Sequence, residues 1–288
     1  MARQSDELSC GSNDLVDASS AQDIHHIIQR HRQSRGVEKL QRRISAPNPA
    51  FTTIVVGPDG VRFVVHEALL VYHSDFFRAA LTGHFKEATD KTIKLVEDDP
   101  GYFEIFVHWL YHQRFPDKAR NDAMELVQFY LDHGQMYAEA FSIGALVSLY
   151  VIGDKYQIRG LRLDAINEIS RQVCEPRTVP LPHEIDIAYV FEHLHPETPL
   201  CRFISDAVCY HESPTTYDSK TIDSLPFLRS IWRRYAVLVH DDCGHGADPG
   251  AYKLRLCDYH EHADDVEKEA CQNVRSTKGK RVREAIRS

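Results

Sequence analysis

The sequence predicts an α+β protein in which a small sheet packs on a cluster of short helices, followed by a helical C-terminal extension. Three observations predict it. FTTIVV (51–56) and VRFVV (61–65) are β-branched runs separated by GPDG (57–60), which reads as strand, tight turn and strand, with Pro58 presetting the turn. Short apolar segments broken at Ser74 and Gly83 come next, and then longer segments with a helical repeat. A hydrophobic content of 43% with 10% aromatic residues over 288 positions is enough for a substantial buried core.

Taken in order, residues 1–46 form a polar leader rich in Ser, Gln, Asp and Arg. A short helix is capped near Ser20 with Ile24, Ile27 and Ile28 on one stripe. The basic stretch from Arg30 to Arg43 reads as solvated, disordered chain, or else as a docking or import signal. APNP (46–49) marks a boundary. Beyond the hairpin, His66–Tyr72 and Ser74–Leu81 suit two short helices, with Ser74 as N-cap and Gly83 as a left-handed stop. KTIKLVE (91–97) alternates as a half-buried strand with Ile93 and Leu95 on one face. Asp99 and Pro100 open a helix whose stripe is Phe103, Phe106, Val107, Leu110 and Tyr111, widened by Ile105 and Trp109. Residues 116–137 read as an insertion with a helix of its own. A helix pair follows, patterned by Ile143, Leu146, Val147, Tyr150 and Val151, then by Leu161, Ala165, Ile169 and Val173. EPRTVPLP (175–182) reads as a linker. The extension at 183–240 contains a helix from Pro199 with Leu200, Phe203, Ile204, Ala207 and Val208 inward, and another from Pro226 through Ile231, Trp232, Tyr235 and Leu238. Residues 241–288 are a polar tail, rich in His and Cys and basic at its end.

The formal charge of −8 argues against a protein built to coat nucleic acid. No run of about 18 apolar residues spans a membrane, and the first residues lack the apolar core of a signal peptide. Seven scattered cysteines with no such signal suggest a reducing compartment, the cytoplasm or nucleus. The sequence contains no GxSxG, phosphate loop, HExxH or dinucleotide fingerprint, so the expectation is a non-enzymatic protein. His66, which has no nucleophile at a motif-like spacing, is expected to satisfy backbone groups at a helix start.

FVVHEALLVYHSDFF (63–77) resembles the BTB/POZ signature: a strand, a histidine, a helix, and a serine capping a helix that starts with paired aromatics. KTIKLVEDDPGYFEIFVHWLY (91–111) resembles that family's third strand and following helix, and LVSLYVIGDKYQIRGLRLDAINEI (146–169) its closing helix pair. The resemblance covers residues 50–173, and the details FVVHEALL, RAALTG, EDDP and WLY look most like the single-BTB proteins of filamentous fungi. It implies a protein-interaction module. The family usually carries an aspartate at the head of its first strand, near the dimer interface, where this chain has Phe51. Its usual Tyr-Thr-Gly is here Tyr111-His112-Gln113. Both departures argue against the family's domain-swapped homodimer and leave homo-oligomerisation open.

Many members adapt substrates to a cullin-3 ubiquitin ligase through a hydrophobic-x-Glu motif before the third strand, and Phe85-Lys86-Glu87 falls at that place. The resemblance therefore implies Phe85 and Glu87 as a partner contact, against the alternative that Phe85 packs under its own loop. The alternative function is a transcription- or chromatin-associated scaffold without its own DNA-binding domain. Apart from these protein partners, one part of the chain has ligand-like chemistry. Cys257, His260, His262 and Cys271 offer two thiols and two imidazoles, with Cys243 and His245 nearby, a donor set that zinc prefers. HxH in an extended segment points its rings apart, so a solvated tail and a structural zinc clasp both stand.

Overall fold

A computed structural model describes residues 47–116, 124–134, 136–137, 140–174, 182–211, 224–240 and 256–273. The expected leader, most of the linker, Cys243, His245 and the basic end lie outside these residues. Strands β1 (Phe51–Val56) and β2 (Val61–His66) form an antiparallel hairpin, and β3 (Thr92–Leu95) adds in parallel to β1, giving the order β2-β1-β3. Two glycines carry the hairpin turn with positive φ, Gly57 at 75° and Gly60 at 69°. Ile54, Val56, Val65, Ile93 and Leu95 are buried beneath the sheet, as alternation requires.

Between β2 and β3 lie three short helices, α1 (Glu67–His73), α2 (Asp75–Thr82) and α3 (Lys86–Asp90). Helix α4 (Pro100–His112) starts where predicted: the Asp99 carboxylate accepts from the N–H groups of Gly101 at 2.8 Å and Tyr102 at 3.1 Å. Its core side chains are Phe103, Ile105, Phe106, Trp109 and Leu110, whereas Tyr111, expected in the stripe, is exposed. Helix α5 (Met124–Asp132) and the two-residue strand β4 (Met136–Tyr137) occupy the insertion, and β4 pairs with β5 (Ala140–Phe141) just beyond it. The pair α6 (Ile143–Lys155) and α7 (Arg159–Cys174) is buried on most sides.

The extension comprises α8 (Glu184–His193), α9 (Pro199–His211) and α10 (Leu225–His240), and the expected polar tail holds a 3-10 turn (Leu256–Tyr259) and a helix, α11, over 265–273. Leu200, Phe203, Ile204, Ala207 and Val208 all face inward. In α10, Phe227 and Ile231 are buried but Trp232 is 77% exposed. It sits about 100° around the helix from Ile231, outside the stripe that touches α8 and α9. One hydrophobic cluster runs from the sheet through α6–α10 to Leu256 and Tyr259, and a satellite holds Leu163, Cys257 and Cys271.

Two buried polar contacts join distant parts of this core. The Ser74 hydroxyl accepts from the Phe77 N–H at 3.0 Å, capping α2, and donates to the Tyr156 carbonyl at 2.6 Å. The Trp109 indole donates to the Asp164 carboxylate at 2.8 Å, and burial pushes Asp164 up to about 7, partly offset by that bond.

Ser74→Ala removes a cap, worth about 0.5–2 kcal/mol, and leaves a buried carbonyl unpaired, about 1–3 kcal/mol more. Urea unfolding should show a loss of roughly 2–4 kcal/mol, and a loss within a few tenths would refute the double role. For Asp164 the folded value lies above the ordinary 3.8, so the folded state keeps its proton longer and this group's contribution to stability falls as pH rises from about 4 to about 7. The slope there is at most ~1.4 kcal/mol per pH unit. Asp164→Asn keeps an acceptor for Trp109 and should flatten that part of the curve, so the variant gains on the wild type between about pH 4 and pH 7. Parallel stability curves would count against it.

Candidate functional site

The loop between α2 and α3 is shaped by Gly83. Its φ of −82° is not the left-handed stop expected from sequence. Glycine is needed there for space: a Cβ would lie 2.5 Å from the Ala79 carbonyl and 3.2 Å from the Phe85 ring. The left-handed residue is Lys91, φ 49°, at the end of α3, and its ammonium pairs with Glu67 at 2.9 Å. Phe85 sits at the N-cap of α3, 62% exposed, with its ring laid over Gly83 rather than in the core. Glu87 lies in the first turn of α3, half-buried, and among the described residues its carboxylate has no ion pair.

Phe51 heads β1, 45% exposed, directly opposite His66 in the register, and the two rings stand 4.4 Å apart. His66 occupies the N-cap of α1, but its side chain makes no capping bond there. Its Nδ1 meets the Tyr111 hydroxyl at 2.7 Å, and its backbone N–H donates to the same oxygen at 3.2 Å. The expectation that His66 satisfies the helix start is therefore corrected: Tyr111 from α4 is its partner. No sequence signal links positions 66 and 111.

The structure brings together all four Cys/His candidates of the tail. One ligand atom from each of Cys257, His260, His262 and Cys271 lies within 4.8 Å of the others. The 3-10 turn places Cys257 beside His260, whose N–H donates to the Cys257 carbonyl at 3.3 Å. The chain is not the extended strand that would send the two histidines apart, and their rings meet edge-on at 5.5 Å. Helix α11 returns Cys271 to the group. It is capped by Asp264, which accepts from the Glu267 N–H at 2.8 Å, while Glu267 reaches back to the Ala263 N–H. The Asp264-x-x-Glu267 spacing of this cap is legible in the sequence, although Glu267 accepts from the N–H one residue before the cap rather than from that of Asp264 itself. Hydrogen bonding from Cys271, then from His260 and His262 with the His260 charge, holds the Cys257 thiol far below its ordinary value against the opposing effect of burial.

Helix α7 supports the cluster from one face. Arg159 donates to Glu267 at 2.6 Å, Arg162 to Glu261 at 2.9 Å, Asn167 Oδ1 lies 3.0 Å from His260 Nε2, and Leu163 packs on Cys257 and Cys271. These partners lie about a hundred positions away in sequence, so no local pattern could have found them.

The BTB/POZ domain profile matches residues 48–138, which hold the hairpin, the helical corner, β3 and α4. This chain carries a BTB/POZ domain. A "Kelch repeat and BTB domain-containing protein 4" of Pongo abelii is 21% identical over 192 residues, 64% of this chain and 34% of the relative. The Homo sapiens protein of that name is 22% identical over 133 residues, 43% of this chain and 24% of the relative. "BTB and MATH domain-containing protein 15" of Caenorhabditis elegans is 27% identical over 123 residues, 41% of this chain and 44% of the relative. The chain thus spans 24–34% of these Kelch-repeat relatives' length and under half of the nematode protein's.

A BTB/POZ domain is a protein-interaction module, and this one leaves the Phe51 and Phe85 rings exposed. The departing residue Phe51 and the retained tyrosine, Tyr111, both meet His66. With a tilted aromatic–imidazole contact in place of the usual carboxylate, the full chain should be a monomer or a weak dimer by light scattering at micromolar concentration. A tight dimer persisting to nanomolar protein would defeat this expectation.

Proposed function

We propose that this chain is a substrate adaptor for a cullin-3 ubiquitin ligase, contacting the cullin through Phe85 and Glu87. The observation that supports it most is the 62% exposure of Phe85 at the place where such adaptors carry their hydrophobic-x-Glu motif. An aromatic laid over a glycine outside the core adds nothing to stability that burial would supply, yet it presents a large, stiff apolar surface with two rotatable bonds. Glu87, half-buried and without an ion pair among the described residues, can accept hydrogen bonds from a partner beside the ring. Such a role places the chain in the cytoplasm or nucleus, where its free thiols stay reduced.

Truncating a buried aromatic anchor at an interface typically costs about 2 kcal/mol or more, a roughly thirtyfold loss of affinity. Phe85→Ala with Glu87→Ala should therefore abolish capture of the host's cullin-3 while leaving the thermal transition nearly unchanged. Wild-type protein that captures no cullin-3, or a double variant that captures as much as wild type, would refute the adaptor reading.

A further inference from the structure

We infer that Cys257, His260, His262 and Cys271 bind one zinc ion that cross-links the C-terminal segment to itself where it packs on the last helix of the α6–α7 pair. This goes beyond the proposed adaptor role and is independent of it. The donor set is two thiolates and two imidazoles, the chemistry of a closed structural zinc site. Tetrahedral zinc, with Zn–S of ~2.3 Å and Zn–N of ~2.0 Å, needs ligand atoms ~3.3–3.8 Å apart. Cys257 Sγ and Cys271 Sγ are 3.4 Å apart, as are Cys271 Sγ and His260 Nδ1, and all four ligand atoms fall within 4.8 Å. Small side-chain adjustments close such a set around an ion.

The surroundings point the same way. Among the described residues both ring nitrogens of His262 are buried with no hydrogen bond of ordinary geometry, their one polar neighbour being the Cys257 thiol of the same cluster, and a metal bond to one of them relieves that cost. His260 directs Nδ1 at the cluster while Nε2 faces Asn167 Oδ1 at 3.0 Å, the outer hydrogen bond that ligating histidines usually make. The Sγ–Sγ distance of 3.4 Å is too long for a disulfide, whose bond is ~2.0 Å. With four protein ligands no open coordination position remains, so the ion is structural rather than catalytic.

The clasp has a clear mechanical consequence. All four ligands lie within residues 257–271, while the groups that hold this segment come from two other helices. Arg159, Arg162, Leu163 and Asn167 project from α7; Arg202 of α9 donates to the Asp258 carbonyl at 2.9 Å, and the Tyr259 hydroxyl donates to Asp206 of α9 at 2.5 Å. The ion would stiffen a strap that fixes the helical extension against α7.

The test uses the full chain, purified without chelator and then exposed to excess zinc and desalted. Metal analysis should give about one equivalent, falling to background in Cys257→Ser with Cys271→Ser. Cobalt titrated into the metal-free wild type should give thiolate-to-metal charge-transfer bands and tetrahedral d–d absorption. Asn167→Ala should keep the stoichiometry at saturating zinc but weaken affinity about 10- to 100-fold. Limited proteolysis after chelation should release the C-terminal segment before the rest is cut. The inference is overturned by wild-type protein holding far less than one equivalent, by equal zinc in the double-serine variant, by cobalt spectra without thiolate bands, or by an intact mass showing a Cys257–Cys271 disulfide instead. Because the cobalt and Asn167 arms keep all four ligands, a serine variant that fails to fold does not blunt the test.

Discussion

The hydroxyl of Ser74 joins pieces of chain that the sequence keeps far apart, and much of the fold is organised around it. The hairpin and the α1–α2 corner are local structures, while α6 and α7 arrive about eighty residues later. Ser74 accepts from the N–H of Phe77 and donates to the carbonyl of Tyr156, so one buried side chain ends one helix corner and anchors the other. The Tyr156 ring stacks on Phe77 at 5.3 Å, and its hydroxyl donates to Asp98, beside the Asp99 that starts α4. Lys155 reaches the same Asp98 at 3.1 Å. A buried backbone carbonyl must find a partner, and Ser74 can serve Tyr156 only if α2 and the α6–α7 turn meet at this register.

Helix α7 is shaped by three different neighbours. Leu161, Ala165, Ile166, Ile169 and Val173 enter the main core. Asp164 turns toward α4 and accepts the Trp109 indole, a polar contact inside an otherwise apolar layer. Arg159, Arg162, Leu163 and Asn167 face the C-terminal segment at spacings of three, four and eight residues, one stripe of a helix. A helix with partners on nearly every side shows little contrast between faces, which is why its polar residues look solvent-facing until the tail is placed against them.

The distribution of aromatics separates stability from recognition. Phe77, Phe103, Phe106 and Trp109 are buried and hold the domain together. Phe85, four residues beyond the buried Leu81 of the same helical corner, lies outside because Gly83 turns the chain without a Cβ and gives the ring a flat backbone to rest on. A BTB/POZ domain whose business is to meet other proteins needs such side chains outside its core.

Sequence alone determined the features that depend on a few neighbouring residues. The hairpin, the caps at Ser74 and Asp99, the alternation of Ile93 and Leu95, and the buried stripes of α6, α7 and α9 follow from local sterics, capping and periodicity, and the BTB/POZ pattern rests on those blocks. Tertiary structure decided whatever depends on which surfaces meet. Trp232 and Tyr111 continue apolar stripes on paper, yet the first faces outward because α8 and α9 cover only the Phe227–Ile231 side, and the second is drawn to His66. The four Cys and His side chains were legible as a donor set, but their convergence was not. It needs the 3-10 turn, the capped return of α11 and an α7 face that begins about a hundred residues earlier. A chain reads its near neighbours through backbone geometry, whereas contacts at such separations exist only once the core has set where each helix lies.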